Sequence, residues 1–152
     1  MRAVIQRTLK RAEVKVESGI SGEISAGLIV YLGIEAEDTE EDIQWLSRKI
    51  VLMRIFSDEG GKMNLSVGDI GGGLLIISQF TLYASTKKGN RPSYLKSAPP
   101  DYALEKYNQF ISHIKEAYPH IEVGTGIFGA DMKVNYTNDG PITIIVDTKQ
   151  KQ

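Results

Sequence analysis

Cysteine is absent, which excludes a disulfide framework, a thiolate nucleophile and thiolate metal ligands. Histidine is nearly so: His113 and His120 are the only two, too few for a histidine-rich metal cage. No metal and no cofactor is therefore expected. Apolar runs are short. None approaches the roughly 18 residues of a membrane-spanning helix, and the stretch after Met1 is too brief for a secretory signal, so the expectation is a cytoplasmic protein with no membrane partner. An excess of either charge is also missing, since 18 basic and 19 acidic residues leave a net −1, and no overall field draws the chain to nucleic acid. One local gap breaks that balance. Residues 70–100 hold no Asp or Glu but carry Lys87, Lys88, Arg91 and Lys96. Such a run can meet phosphates; a solvated loop with its counter-charges elsewhere in space has the same composition.

What is present describes an ordinary globular chain. At 152 residues, with 41% hydrophobic and 24% charged side chains, the length suits a single domain, taken as residues 1–148 with a frayed tail over 149–152. Residues 3–8 read as a strand, and Ala12, Val14 and Val16, alternating with Glu13, Lys15 and Glu17, as a second with one wet face. Residues 27–34 are continuously apolar and of strand length, the pattern of a central strand buried on both faces. Asp38 followed by Glu41 predicts a helix start, and Ile43, Leu46, Ile50 and Met53 recur at helical spacing, with Trp45 packing near that stripe. Arg54, Ile55 and Phe56 suggest a short strand.

Gly71, Gly72 and Gly73 lack the rest of a phosphate-loop pattern and precede a strand rather than a helix, so a flexible turn is expected, followed by a strand over 74–82. A polar loop covers 84–98. Pro99 and Pro100 pre-set a second amphipathic helix marked by Ala103, Leu104, Tyr107, Phe110, Ile111 and Ile114. Strands over 121–126, 130–136 and 142–146 complete the chain. The predicted class is α/β (α+β): a β-sheet or barrel-like core with two main amphipathic helices in one domain.

Two short segments stand out. After four apolar residues, Ser78, Gln79 and Thr81 place three polar side chains within four positions. Buried polar groups are costly unless satisfied, so this strand end opens onto solvent or a ligand; a strand leaving the core reads the same way. The second segment, Asn138, Asp139, Gly140 and Pro141, joins two strands with residues that favour tight turns. Its Gly-Pro bond is one where a cis peptide is accommodated at low cost.

In this order and spacing, with Gly126, Phe128, Gly129 and Met132 just upstream, the two segments closely resemble those of the D-aminoacyl-tRNA deacylase family. The similarity extends through residues 1–7, 49–56, 61–64 and 88–93. It implies an enzyme that hydrolyses the ester between a D-amino acid and the terminal ribose of tRNA. It also implies a homodimer with active sites at the subunit interface. Ser78, Gln79, Phe80 and Thr81 are then the catalytic segment. Gly140 and Pro141, joined by a cis bond, would enter the neighbouring subunit's pocket, with Asn138, Met132 and Phe128 as further substrate-binding residues. Lys87, Lys88 and Arg91 follow the pocket strand and become the expected tRNA contacts.

Neither histidine sits in either segment and no Ser-His-Asp set is legible. Thr81 alone is a poor nucleophile without a base, and the family resemblance favours the tRNA's own 2′-hydroxyl as the activating group. A rigid Gly140-Pro141 wall would exclude L side chains rather than recognise D ones, so glycyl-tRNA, including that mischarged on alanine tRNA, should also be cleaved. Without the resemblance, two other readings fit: a non-catalytic RNA- or nucleotide-binding module using the basic loop, and an interaction domain that dimerises through its strands.

Overall fold

A computed structural model of the chain describes residues 1–151. Its strands are β1 (Arg2–Thr8), β2 (Ala12–Val16), β3 (Gly19–Ile24), β4 (Gly27–Gly33), β5 (Phe56–Ser57), β6 (Met63–Leu65), β7 (Gly73–Ser78), β8 (Glu122–Thr125), β9 (Lys133–Asn135) and β10 (Thr143–Asp147). The helices are α1 (Glu40–Leu52) and α2 (Pro100–Ala117), and a single 3-10 turn spans Phe80–Tyr83. A five-stranded sheet runs in the order β10-β1-β4-β7-β8, a three-stranded sheet in the order β3-β2-β9, and β5 and β6 form a hairpin.

Three layers result. Ala3, Ile5, Leu28, Val30, Leu32, Leu74 and Ile76 on one face of the large sheet meet Ile43, Leu46 and Ile50 of α1 and Tyr107, Phe110 and Ile114 of α2. Ile29, Leu75 and Ile77 on the other face meet Ala12, Val14 and Ile24 of the small sheet. This explains why β4 and β7 are apolar at nearly every position: both faces are covered. They run parallel, with Gly27 opposite Gly73 and Leu32 opposite Ser78. Their contact at the first pair is close. Gly27 has φ +140°, and a Cβ there would lie 1.9 Å from the Gly73 carbonyl oxygen, so no other residue fits.

Several expectations need correction. The core is not a closed barrel. β3 and β8 touch where the Ser21 hydroxyl donates to the Thr125 carbonyl (3.3 Å), but no ladder joins the sheets. Asp38 is not the cap of α1; Thr39 is. The Asp38 carboxylate is buried, accepting the Glu35 N–H at 2.8 Å and pairing with the Met1 ammonium. The strand expected over 74–82 stops at Ser78, because β4 ends alongside it and the Gln79 N–H makes the last bond, to the Leu32 carbonyl (2.8 Å). The strand expected over 130–136 is limited to β9, which is as far as β2 pairs with it. At the C-terminus Thr148 is buried, and Lys149, placed in the fraying tail by the sequence, is paired with Asp42 of α1 at 2.9 Å; Gln152 lies outside the described residues.

Candidate active site

The parallel strands β4 and β7 end together, and a cavity of about 300 Å³ opens beyond them. Ligands in mixed sheets commonly bind at this carboxyl edge. Leu32, Ile34 and Ile77 line it together with Ser78, Gln79 and Phe80, where β7 gives way to the 3-10 turn, and with Phe128, Met132 and Val134 from β9 and the segment before it. Ala103 of α2 also faces it. Phe128 is backed by Tyr107 (ring centroids 5.9 Å apart), whose hydroxyl donates to the Ile76 carbonyl at 2.7 Å. Burial pushes the Tyr107 phenol up, so it stays neutral and acts as a fixed post rather than an acid or base.

Phe80 is carried by the 3-10 turn that replaces the end of the expected strand. The carbonyl of Gln79 at its start and those of Phe80, Thr81 and Leu82 within it each have a donor. Leu82 N–H bonds Gln79 O (3.3 Å), Ala84 N–H bonds Thr81 O (3.0 Å), the Ser97 hydroxyl bonds Phe80 O (2.8 Å), and Arg2 Nη1 bonds Leu82 O (2.8 Å). In a helical turn the first N–H groups have no partner within the turn and point back toward its start. Here those are the N–H groups of Phe80 and Thr81, and the start of the turn is where Ser78 and Gln79 line the cavity. The Thr81 hydroxyl accepts a hydrogen bond from Gln79 Nε2, and Gln79 is not a base.

The second segment lies elsewhere. Asp139 N–H bonds the Arg7 carbonyl (2.8 Å), and its carboxylate pairs with the Arg7 guanidinium (2.8 Å). Asn138 Oδ1 accepts the Ile142 N–H (3.0 Å) and its Nδ2 donates to Thr143 Oγ1 (3.1 Å). Gln6 Nε2 donates to the same threonine (2.9 Å), and Tyr136 donates to Gln6 and meets Tyr31 at 3.0 Å. This network holds Gly140 and Pro141, linked by a cis peptide, out at the surface. Because β1 is antiparallel to β4, Arg2 lies beside Gly33 and Thr8 beside Gly27. Arg7 and the Gly-Pro loop therefore mark one end of the sheet, and Arg2, Leu32 and Ser78 the other. Five residue steps separate Arg2 from Arg7, about 17 Å at the rise of a strand.

Residues 84–98 rise beside the cavity. Ser85 and Ser93 exchange backbone hydrogen bonds (2.8 and 2.9 Å), so Lys87, Lys88 and Arg91 occupy an exposed tip. Tyr94 stacks edge-on against Phe80 at 5.0 Å and fixes the loop's base to the cavity wall.

A family model described as D-Tyr-tRNA(Tyr) deacylase matches residues 4–147. The chain belongs to the D-aminoacyl-tRNA deacylase family. It is 52% identical to the D-aminoacyl-tRNA deacylase of Flavobacterium johnsoniae across the whole of both chains. With that of Thermosipho africanus it shares 53% identity over 99% of each chain. Among solved structures, a c-Myc DNA unwinding element binding protein superposes with a TM-score of 0.90 at 39% identity, covering 97% of this chain and 99% of that one. A probable eukaryotic D-amino acid tRNA deacylase shares the fold, with a TM-score of 0.72 at 15% identity over 95% and 98% of the chains. Membership makes the chain an enzyme, a hydrolase of the D-aminoacyl-tRNA deacylase class.

Within this deacylase fold, Ser78, Gln79, Phe80, Phe128 and Met132 converge on one cavity, while Thr81, beside it on the 3-10 turn, and Asn138, Gly140 and Pro141 do not line it. Neither histidine lines it; His113 is on α2 and His120 is exposed beyond it. Among the described residues no group of three or more His, Cys, Asp or Glu is placed to hold a metal ion, and no helix is long and apolar enough to cross a membrane. Sequence reasoning missed Leu32, Ile34, Ile77, Ala103 and Val134 as cavity residues. Their apolar spacing marked them only as core. It also missed Ser97 and Arg2, whose partners are 17 and 80 residues away in the chain.

Proposed function

We propose that the working enzyme is a pair of chains in which the Gly140-Pro141 loop of one closes the cavity of the other. Its reaction is hydrolysis of the ester of D-aminoacyl-tRNA. The observation that carries this reading is the separation of the two family segments to opposite ends of one sheet. A loop held at the far end by Arg7 cannot reach its own cavity. A two-fold partner turned end for end can exchange loops reciprocally, giving two equivalent sites.

In the proposed site, the ester carbonyl lies against Phe80 and Thr81. Water adds to the carbonyl carbon, the negative charge on the carbonyl oxygen is met by the Phe80 and Thr81 N–H groups, and the bond to the ribose oxygen breaks as that oxygen takes a proton. The free hydroxyl of the same ribose activates the water. Thr81 positions rather than attacks, in keeping with its hydroxyl already accepting from Gln79. The partner's loop leaves room for hydrogen but not for an L side chain, so D and glycyl esters pass, including glycine mischarged on alanine tRNA. Lys87, Lys88 and Arg91 hold the acceptor end of the tRNA.

The test is hydrolysis of matched D-, L- and glycyl-tRNA by the purified protein, each also made with a 2′-deoxy terminal adenosine. D and glycyl esters should be released, L esters should persist, and the deoxy substrates should react slowly. Equal rates on D and L would remove the exclusion mechanism, normal rates on deoxy substrates would remove the RNA-assisted one, and a protein that shields all three esters is a binder only.

A further inference from the structure

We propose that Arg2 is a positioning residue for the deacylation reaction, orienting the 3-10 turn whose N–H groups face the cavity. The inference rests on the site proposed above. Arg2 opens β1, on a strand that contributes nothing to the cavity lining, yet its guanidinium makes three contacts at once. Nη1 donates to Leu82 O at 2.8 Å. Nε and Nη2 both reach Asp147 Oδ2 at 2.8 Å. Its carbon lies 4.8 Å from the Tyr83 ring centroid. Asp147 is itself fixed, since it pairs with Arg2 across β1 and β10 and its other oxygen accepts the Lys149 N–H at 2.8 Å.

The turn is only four residues long, and short 3-10 turns have poor internal hydrogen-bond geometry. Its orientation therefore depends on contacts from outside. Gln79 is anchored to Leu32 at the entry, Ser97 holds the middle, and at the exit the Leu82 carbonyl is held by Arg2 while Tyr83, with its hydroxyl 3.3 Å from Glu35, is pressed beneath the guanidinium. Without Arg2 the Leu82 carbonyl has no side-chain partner, and rotation of that peptide would carry through the turn to the Phe80 and Thr81 N–H groups. A lysine has one compact charged head and cannot bridge a carboxylate and a carbonyl with a planar fork.

The experiment compares Arg2→Gln, Arg2→Lys and Asp147→Asn with the unaltered protein in single-turnover hydrolysis of D-aminoacyl-tRNA over a range of enzyme concentrations. Misplacement of reacting groups by about 1 Å costs up to about a hundredfold in rate. The maximal rate should accordingly fall about tenfold or more in Arg2→Gln and less in Arg2→Lys, while the half-saturating concentration stays within about twofold. A role in stability alone would lower the melting temperature without that split. Wild-type maximal rates in folded Arg2→Gln overturn the proposal; if that variant does not fold, Arg2→Lys and Asp147→Asn are judged by the same standard. Phe128→Ala and Met132→Ala separate this from the site itself. If they also leave hydrolysis unchanged, the cavity is not the active site; if they impair it while Arg2 variants do not, only the role of Arg2 falls.

Discussion

Thr81 is the side chain a chemist would first suspect, and its surroundings argue against it. Its one hydrogen-bond partner is the amide of Gln79, which donates to it and cannot take its proton. No histidine lines the adjoining cavity. A hydroxyl without a base is weakly nucleophilic, whereas the backbone N–H groups beside it need no activation. Thr81→Ala should therefore remove one neutral hydrogen bond, worth about 1 kcal/mol, and single-turnover hydrolysis of D-aminoacyl-tRNA should stay within about tenfold of wild type. Near-complete loss with tRNA binding intact would restore Thr81 as the attacking group. The sequence reading located Ser78, Gln79, Phe80 and Thr81 correctly at a strand end but drew them as part of the strand. Periodicity cannot separate a strand from a single turn that continues it, since what ends β7 is the length of its neighbour β4.

At the scale of elements, the basic loop and the cavity are one construction. Tyr94 against Phe80, and Ser97 bonded to the Phe80 carbonyl, tie residues 84–98 to the cavity wall. On the proposed reading, the cations at the tip meet the acceptor end of the tRNA. Lys88→Ala and Arg91→Ala should each weaken tRNA binding and reduce the slope of log affinity against log salt by about 0.7 to 1, one phosphate contact apiece, as read from filter binding across a salt series. Unchanged slopes in both would leave the loop a folding element. The acid-free interval was visible in composition. The pinning was not, because it depends on an aromatic pair and a serine that composition treats as ordinary loop residues. The helices were read well from their apolar stripes, while the cap of α1 was misplaced by one residue because the buried Asp38 looks in sequence like any capping aspartate.

For the molecule as a whole, α1, β1 and β10 are locked together by carboxylates at one edge. Burial pushes Asp42 up, but hydrogen bonds from Thr148, Lys149 and Thr39 outweigh it and hold its carboxyl well below the usual range. Asp147 behaves similarly: burial raises it, while the Lys149 N–H and Arg2 bring it down on balance. A carboxyl lowered in the folded state stabilises fully above its unfolded value of about 3.9 and loses that contribution as pH falls through the folded value. Thermal melts should thus show a stability plateau near neutrality and a decline below about pH 4. In Asp42→Asn the neutral-pH stability should drop and the acid decline should be shallower; an unaltered pH profile would mean that this cluster does not couple to folding. That residues 27–34 form a central strand covered on both faces was legible from their unbroken apolar run. The openness of the sheets was not, since closure depends on edge contacts such as Ser21 with Thr125 that carry no sequence pattern.

The placement of the two family segments at opposite ends of the large sheet has a consequence for gene dosage. On the proposed assembly a solitary chain owns a cavity without a lid and a lid without a cavity. While copies are scarce, proofreading capacity grows with the square of their number rather than in proportion, so a cell that halves its supply loses more than half of its protection.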